Sequence, residues 1–279
     1  MTTTLRPTGP IRHEADGAKS RAYEVCVNGR PVGRIEIATF PALSAKAGAI
    51  RSLRIDEADR RRGRGTVAAL AAEEVLRGWG CTQVLTSVPP AATAARRLAS
   101  ALGYIERSRS MRKALPAEPP ALPAHVEGRP MSEGEFAQWR AQAVESYAQS
   151  WIDRGVPAEE ARAKSEADHL ESLPDGLATP GASLRFLVHD GVIVGHLFVG
   201  RREACSGEQA SFVYDVQVVD GHRGQGHGRS LMLLAERVSL DAGMRLLALH
   251  VFSGNTPAIS LYESLGYETT AVNLFKPLL

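Results

Sequence analysis

A chain of 279 residues exceeds the usual single domain and fits two of ordinary length, each able to bury a core of its own. With 44% apolar and 23% charged residues and no long low-complexity run, the composition is that of an ordinary globular protein and argues against disorder. The opening segment lacks the apolar stretch of a secretory signal and no run is long enough to cross a bilayer, so the expectation is a cytoplasmic protein without a membrane partner. Cys26, Cys81 and Cys205 are far apart and fall outside any CxxC spacing, which argues against a disulfide framework and against a metal site.

In chain order, room for one strand precedes YEVCVNGRPVGRIEI, which reads as a hairpin. A strand follows with Ile50, Leu53 and Ile55, then the Gly-rich loop Arg60-Arg61-Arg62-Gly63-Arg64-Gly65. A helix is predicted over Thr66 to Arg77, a strand over Val84 to Val88, and a helix ending at Leu102-Gly103-Tyr104, before a short strand near Lys113. ALPAEPPALPAHVEGRP, with prolines from Pro116 to Pro123, reads as a semi-extended linker and sets a boundary near residue 118. Ser132 and Glu135 form a capping box ahead of a helix carrying Phe136, Trp139, Ala143 and Tyr147, and a second helix is predicted from Pro157 to Leu170.

The remaining elements repeat the first set. Val213, Val216 and Val218 answer Ile50, Leu53 and Ile55, and Arg223-Gly224-Gln225-Gly226-His227-Gly228 answers the first Gly-rich loop. A helix from Arg229 to Ala242 with Gly243 as its C-cap, a strand from Leu246 to Phe252 and a helix ending at Leu265-Gly266-Tyr267 follow. Arg60 and Arg223, Gly103 and Gly266, Lys113 and Lys276 all share one offset of 163 residues. Strand, Gly-rich loop, helix, strand and helix is the pattern of a mixed α/β sheet with one phosphate-sized loop per copy.

Glycines at alternate positions let the backbone approach a ligand, and the following helix offers free N–H groups and the positive end of its dipole. Such a loop is an anion cradle. A P-loop would end in Gly-Lys-Ser/Thr, which neither copy has. A dinucleotide fingerprint is nominally met by Gly63, Gly65 and Ala68, but the strand Val84 to Val88 ends in Pro89-Pro90 without an acidic residue to hold a ribose.

VVDGHRGQGHGRSLM resembles the pyrophosphate-binding segment of the GNAT acetyltransferases, and NTPAISLYESLGYE resembles that family's second hallmark of strand-end Asn, helical Tyr and terminal Gly-Phe/Tyr. The resemblance implies two tandem GNAT-like domains, each a mixed, mostly antiparallel sheet flanked by helices: residues 1–117 a degenerate, non-catalytic copy, and residues 118–279 the catalytic one. It implies acetyl-CoA as cosubstrate, no metal, and transfer of the acetyl group to a primary amine by direct attack. Val216 and Val218 would contact the pantetheine arm through their backbone, Arg223, Gly224, Gln225, Gly226, His227 and Gly228 would hold the phosphates, and Asn255 would contact the arm again.

Among the chemical groups, Asp215 matches the acidic position that takes a proton from the amine, and Tyr262 matches the general acid that protonates the leaving thiolate. His196, Glu203 and Glu263 are the weaker candidates for the base. On the second copy's last helix, Ala258, Leu261 and Leu265 are expected to form the buried stripe with Tyr262 beside it. In the first copy Ser52 stands opposite Asp215, Ala92 opposite Asn255 and Ala99 opposite Tyr262. The alternative reading is a non-catalytic acyl-CoA-binding or protein-interaction module, which keeps the cradle and discards the chemistry.

Charge is divided between the halves: residues 1–115 carry 20 Lys and Arg against 10 Asp and Glu, and residues 116–279 carry 13 against 21. The first half's arginines lack the interleaved aromatics of a nucleic-acid surface, so no nucleic-acid partner is expected. The acidic second half suggests a small cationic acceptor drawn to the helices between Glu133 and Asp175. A homo-oligomer is compatible with the sequence.

Overall fold

The structure is a computed structural model and describes residues 2–278 apart from 42, 45, 154, 155 and 204–208; Cys205 and the side chain of Glu203 lie outside that description. The elements run β1 (Thr3–Pro7), β2 (Arg12–His13), β3 (Lys19–Val27), β4 (Arg30–Thr39), β5 (Ala47–Ile55), α1 (Arg64–Gly78), β6 (Gln83–Val88), α2 (Thr93–Ala101) and β7 (Ile105–Ala114). Then come β8 (Val126–Pro130), α3 (Glu133–Ile152), α4 (Ala158–Ser172), β9 (Ser183–His189), β10 (Val192–Glu203), β11 (Gln209–Val218), α5 (His227–Asp241), β12 (Leu246–Phe252), α6 (Thr256–Ser264) and β13 (Glu268–Pro277). The mixed α/β class is as expected from the strand, loop and helix pattern.

Two compact units form, and neither is a contiguous stretch of chain. One comprises Met1–Ser110, Phe252–Gly254 and Thr269–Leu279, the other Met111–Val251 and Asn255–Glu268. The boundary expected near residue 118 follows the sequence repeat, whereas the units follow strand pairing. In the first unit the strand order is β1-β3-β4-β5-β6-β13, with β13 antiparallel to β6 through pairs such as Leu274 with Thr86. In the second it is β8-β9-β10-β11-β12-β7, and Leu115 N–H continues from β7 to the Arg245 carbonyl at 2.9 Å. The chain's final strand therefore belongs to the unit built by its beginning.

Matching lysines complete each unit. Lys276 on β13 reaches the buried Glu73 of α1 at 2.7 Å and lies 5.7 Å from the Tyr104 ring centre. Lys113 on β7 repeats both contacts in the second unit, at 2.7 Å to the buried Glu236 of α5 and 5.7 Å to the Tyr267 ring. Each carboxylate is almost wholly removed from water, so its lysine is what makes the charge tolerable there. The shared offset of Lys113 and Lys276 thus marks one ion pair built twice.

Two sequence expectations are corrected. Two short strands, β1 and β2, precede the hairpin where room was found for only one, because β2 needs just the pairs Arg12 with Ser20 and His13 with Lys19. The end of the proline-rich linker is also ordered: past the last proline of that run, Val126–Pro130 pairs antiparallel with β9, an edge position that tolerates the terminal Pro130. The hairpin and capping box form as expected. Asn28 (φ 49°) and Gly29 (φ 81°) make the tight turn between β3 and β4, and Ser132 and Glu135 cap each other's backbone N–H at the start of α3.

The second unit's sheet carries a core on each face. On one side Leu231, Met232 and Ala235 of α5 pack on Leu197, Val213 and Leu247; on the other Phe136, Trp139, Leu173 and Phe198 form a smaller cluster. Side chains of β10 alternate between the two, so His196 and Phe198 share the face of Trp139 while Leu197 faces α5. We expect Lys276→Met to destabilise the first unit by about 3 kcal/mol through the buried, unpaired Glu73. Hydrogen exchange in α1 and β6 measures this, and adding Glu73→Met should restore most of the loss.

Candidate active site

Two interruptions in the second unit's sheet create the site. The parallel ladder between β11 and β12 joins Ser211–Val213 to Leu247–Leu249 and stops there, so the segment holding Val216 and Val218 keeps a strand edge that β12 does not cover. The second is a bulge: Phe198 pairs with Asp215 but Val199 pairs with Val213, leaving Tyr214 as the extra residue. The bulge turns Tyr214 and Asp215 to the same face. Tyr214 stacks on Phe198 at 4.8 Å, and Asp215 points to Trp139 and His196.

Asp215 Oδ2 accepts from Trp139 Nε1 at 3.1 Å and lies 2.8 Å from His196 Nε2. Trp139 is buried and makes edge contacts with both His196 (6.5 Å) and Phe198 (5.8 Å), so three elements hold the carboxylate in place. Tyr262 is 7% exposed on α6, and burial, followed by the negative charge of Asp215, raises its hydroxyl pKa. The hydroxyl therefore keeps its proton at neutral pH. Tyr262 and Ile259 are the most deeply buried side chains of α6, whereas Ala258, Leu261 and Leu265, the stripe expected there, are only partly covered. The Tyr267 ring lies beside that of Tyr262, with centres 5.9 Å apart and planes tilted by 56°.

The Gly-rich loop follows β11. Gly224 (φ 77°) and Gly226 (φ 86°) are left-handed, and Gly226 caps α5, leaving the first N–H groups of that helix free for an anion. A Cβ at either glycine would meet open space, so the glycines serve backbone conformation and ligand approach and do not relieve a packing clash. Arg223 is exposed and pairs with Asp220 at 2.7 Å, while Gln225 Nε2 donates to the Gly221 carbonyl at 3.3 Å. Gly228 packs against Leu261 of α6. His227 is turned away from the cradle: it is 3% exposed, its ring lies 5.2 Å from that of His189 and 6.1 Å from that of His222, and burial lowers its pKa. Only its backbone can serve an anion. Asn255 Oδ1 accepts from Ala258 N–H at 3.2 Å and so caps α6, leaving its amide nitrogen for any other contact.

The first unit repeats the backbone and changes the chemistry. Its parallel ladder likewise ends after Ala47–Ala49 with Gln83–Leu85, and a bulge falls opposite Glu36 and Ile37. Arg61 adopts the left-handed conformation (φ 58°) where the second loop has Gly224. Arg64, in the place of His227, is buried against Asp59, which also receives Arg30 at 2.7 Å. Thr86 Oγ1 donates to the Ile50 carbonyl at 3.1 Å, across the end of the ladder.

Among the described residues no three His, Cys, Asp or Glu side chains form a metal-binding group, and no helix is long and apolar enough to cross a membrane. Cys26 and Cys81 are buried free thiols, and burial pushes the Cys81 pKa up. Of the residues singled out in the sequence, the fold brings Asp215, Tyr262 and the weaker candidate His196 to one region. Trp139 was legible only as a core residue of its helix. Its bond to Asp215 spans 76 residues and depends on the bulge, for which the sequence carries no separate signal.

A parallel ladder that stops after three pairs, a Gly-rich loop capping the next helix and a buried tyrosine on α6 make up the candidate site. The family model described as the acetyltransferase (GNAT) family matches residues 3–104 and again 141–267, and the chain belongs to that family, carrying its domain twice. The chain is 31% identical to the "Uncharacterized N-acetyltransferase YycN" of Bacillus subtilis over 53% of its own length and 96% of that protein. It is 28% identical to the mycothiol acetyltransferase of Nocardiopsis dassonvillei over 92% of its length and 81% of the relative's. The fold matches a GCN5-related N-acetyltransferase from Sphaerobacter thermophilus with a TM-score of 0.57 at 20% identity, covering 92% of this chain and 80% of that one. Trp139→Phe, which keeps the ring and deletes the donor to Asp215, should cost about 1 kcal/mol of stability at this half-exposed carboxylate. The urea midpoint of the second unit, followed by hydrogen exchange in α3, measures it.

Proposed function

We propose that the chain is an acetyl-CoA-dependent N-acetyltransferase whose second copy transfers the acetyl group to a primary amine of a small cationic acceptor. The observation that carries this reading is the convergence of the interrupted β11–β12 ladder, the capped loop before α5, Asp215 and Tyr262 within one unit. Val216 and Val218 offer an uncovered strand edge to the pantetheine arm, which is a chain of amides and pairs as a strand would. The free N–H groups at the start of α5, with Arg223 beside them, suit the pyrophosphate.

An alkylamine with a pKa near ~10 arrives protonated at neutral pH and cannot attack until a proton leaves. The anionic Asp215 centre favours that departure. The free amine then attacks the thioester carbonyl carbon, the carbon–sulfur bond breaks as the tetrahedral intermediate collapses, and sulfur receives the Tyr262 proton. No nucleophilic side chain is required. The first copy has Ser52, Ala92 and Ala99 where the second has Asp215, Asn255 and Tyr262, and its Arg64 is spent on Asp59, so we assign it a structural role.

The acceptor class rests on the acidic helices α3 and α4. Glu135, Glu145 and Asp168 are paired with Arg129, Arg162 and Lys164, which leaves their contribution short-ranged. Burial raises the Tyr214 hydroxyl pKa, and the negative charge of Glu171 adds to this against the opposing charge of Arg202, so both signs of charge lie near that ring.

Thiol release from saturating acetyl-CoA, screened with 1,4-diaminobutane, spermidine, glucosamine, aspartate and the acceptor of the mycothiol acetyltransferases, tests the reading. We expect the cationic amines to be favoured, with kcat/KM falling as salt rises. Absence of thiol release with every amine would remove the transferase assignment, and a preference for aspartate would remove the cationic one. Tyr262→Phe should lower kcat by about 10²-fold while leaving acetyl-CoA affinity within a few-fold, since the proton is given only in the transition state.

A further inference from the structure

We propose that the amine proton is taken by His196, at Nδ1, and that Asp215 is the positioning residue that holds the imidazole for this task. The proposal rests on the acetyltransferase reading above and changes the atom that accepts the proton. Asp215 Oδ2 is already engaged twice, by Trp139 Nε1 at 3.1 Å and at 2.8 Å from His196 Nε2. A carboxylate can only accept, so the second contact places a proton on Nε2 of the neutral imidazole and leaves the Nδ1 lone pair free. Among the described residues nothing bonds Nδ1.

The magnitudes favour the imidazole. An ammonium group near ~10 is some six units above an ordinary carboxylate and only about three to four above an ordinary imidazole, so transfer to the ring is far less uphill. The imidazolium formed is stabilised by Asp215 directly across the bond. In the step, the ammonium N–H breaks and its proton goes to Nδ1; the freed electron pair attacks the thioester carbon; sulfur leaves with the Tyr262 proton. The amide nitrogen loses its second proton to water, and His196 and Tyr262 exchange theirs with solvent, so that one proton is released per turnover.

The surroundings leave His196 able to do this. It is about one-sixth exposed, neither sealed nor fully solvated. Facing it are Asp215 from β11, Trp139 from α3 and, beyond the Trp139 ring, His169 of α4, whose Nδ1 is held 2.8 Å from the Ser165 carbonyl. On β9 its cross-strand neighbour is Phe186, covered by Arg129, which is paired with Glu135. Among the described residues Asp215 is therefore the one anion in direct contact. In the first unit no imidazole stands at this place, since the strand pairing sets Arg34 opposite Arg54 as His196 is set opposite Gln217.

The test combines a tautomer measurement with pH profiles on the full chain. Nitrogen-15 NMR of the imidazole at pH 8 should show His196 protonated on Nε2; the neutral form protonated on Nδ1 would overturn the proposal without any assay of activity. With acetyl-CoA and spermidine as probes, or the best amine of the screen, His196→Gln keeps a donor toward Asp215 but has no base. It should lower kcat/KM at pH 7 by about 10²-fold or more, remove the acid limb of the profile and leave a rate that climbs with free amine. Asp215→Asn should retain an acid limb, because the group that takes the proton is still present. If His196→Gln keeps the wild-type rate and limb while Asp215→Asn abolishes the limb, the carboxylate is itself the base and the proposal fails with the transferase reading intact. Failure of the wild-type chain to release thiol from any amine removes both.

Discussion

The parallel ladder between β11 and β12 holds for three residue pairs and then ends, and the rest of the second unit is arranged around that ending. A strand edge left uncovered inside a sheet costs free energy unless something else satisfies its backbone groups. Here the edge leads straight to a loop whose glycines adopt left-handed conformations and cap a buried helix, so strand edge and helix terminus offer backbone N–H groups along one continuous path. The bulge at Tyr214 lies immediately past the ladder's end. It aims Asp215 at Trp139 and His196 on one face while Val213, just before it, still packs against α5 on the other.

The two copies show which parts of this arrangement belong to the fold and which to the site. Both keep the shortened ladder, the bulge and the glycine-capped helix. Both keep a lysine paired with a buried glutamate on the helix after the loop. What differs is the set of side chains around it: a buried ion pair between Arg64 and Asp59 where the second copy packs His227 near His222, and the Thr86 hydroxyl on the Ile50 carbonyl at the end of the ladder. Backbone geometry survives such changes because core packing and strand pairing enforce it.

The strand exchange gives the repeat a second meaning. Lys113 and Lys276 occupy equivalent places in the sequence, and each completes the unit built mainly by the other copy's residues. Met111 and Leu115 enter the core of the second unit, and Val272, Leu274 and Leu278 that of the first. A contiguous cut would separate each core from part of its own apolar surface.

The sequence alone determined the repeat, the two Gly-rich loops and the capping box, because each is written in residues close together or at a constant offset, whereas Asp215 and Tyr262 were singled out through the resemblance to the GNAT family. Periodicity and glycine placement are local properties, and local physics reads them. Strand exchange was hidden because any strand of suitable pattern can pair with either edge, and the pattern does not say which one. His196 and Trp139 remained a weak candidate and a core aromatic for a related reason. Their meeting at Asp215 requires a one-residue bulge that reverses which side chains share a face, and that register is decided by the packing of α3 and β10 on β11.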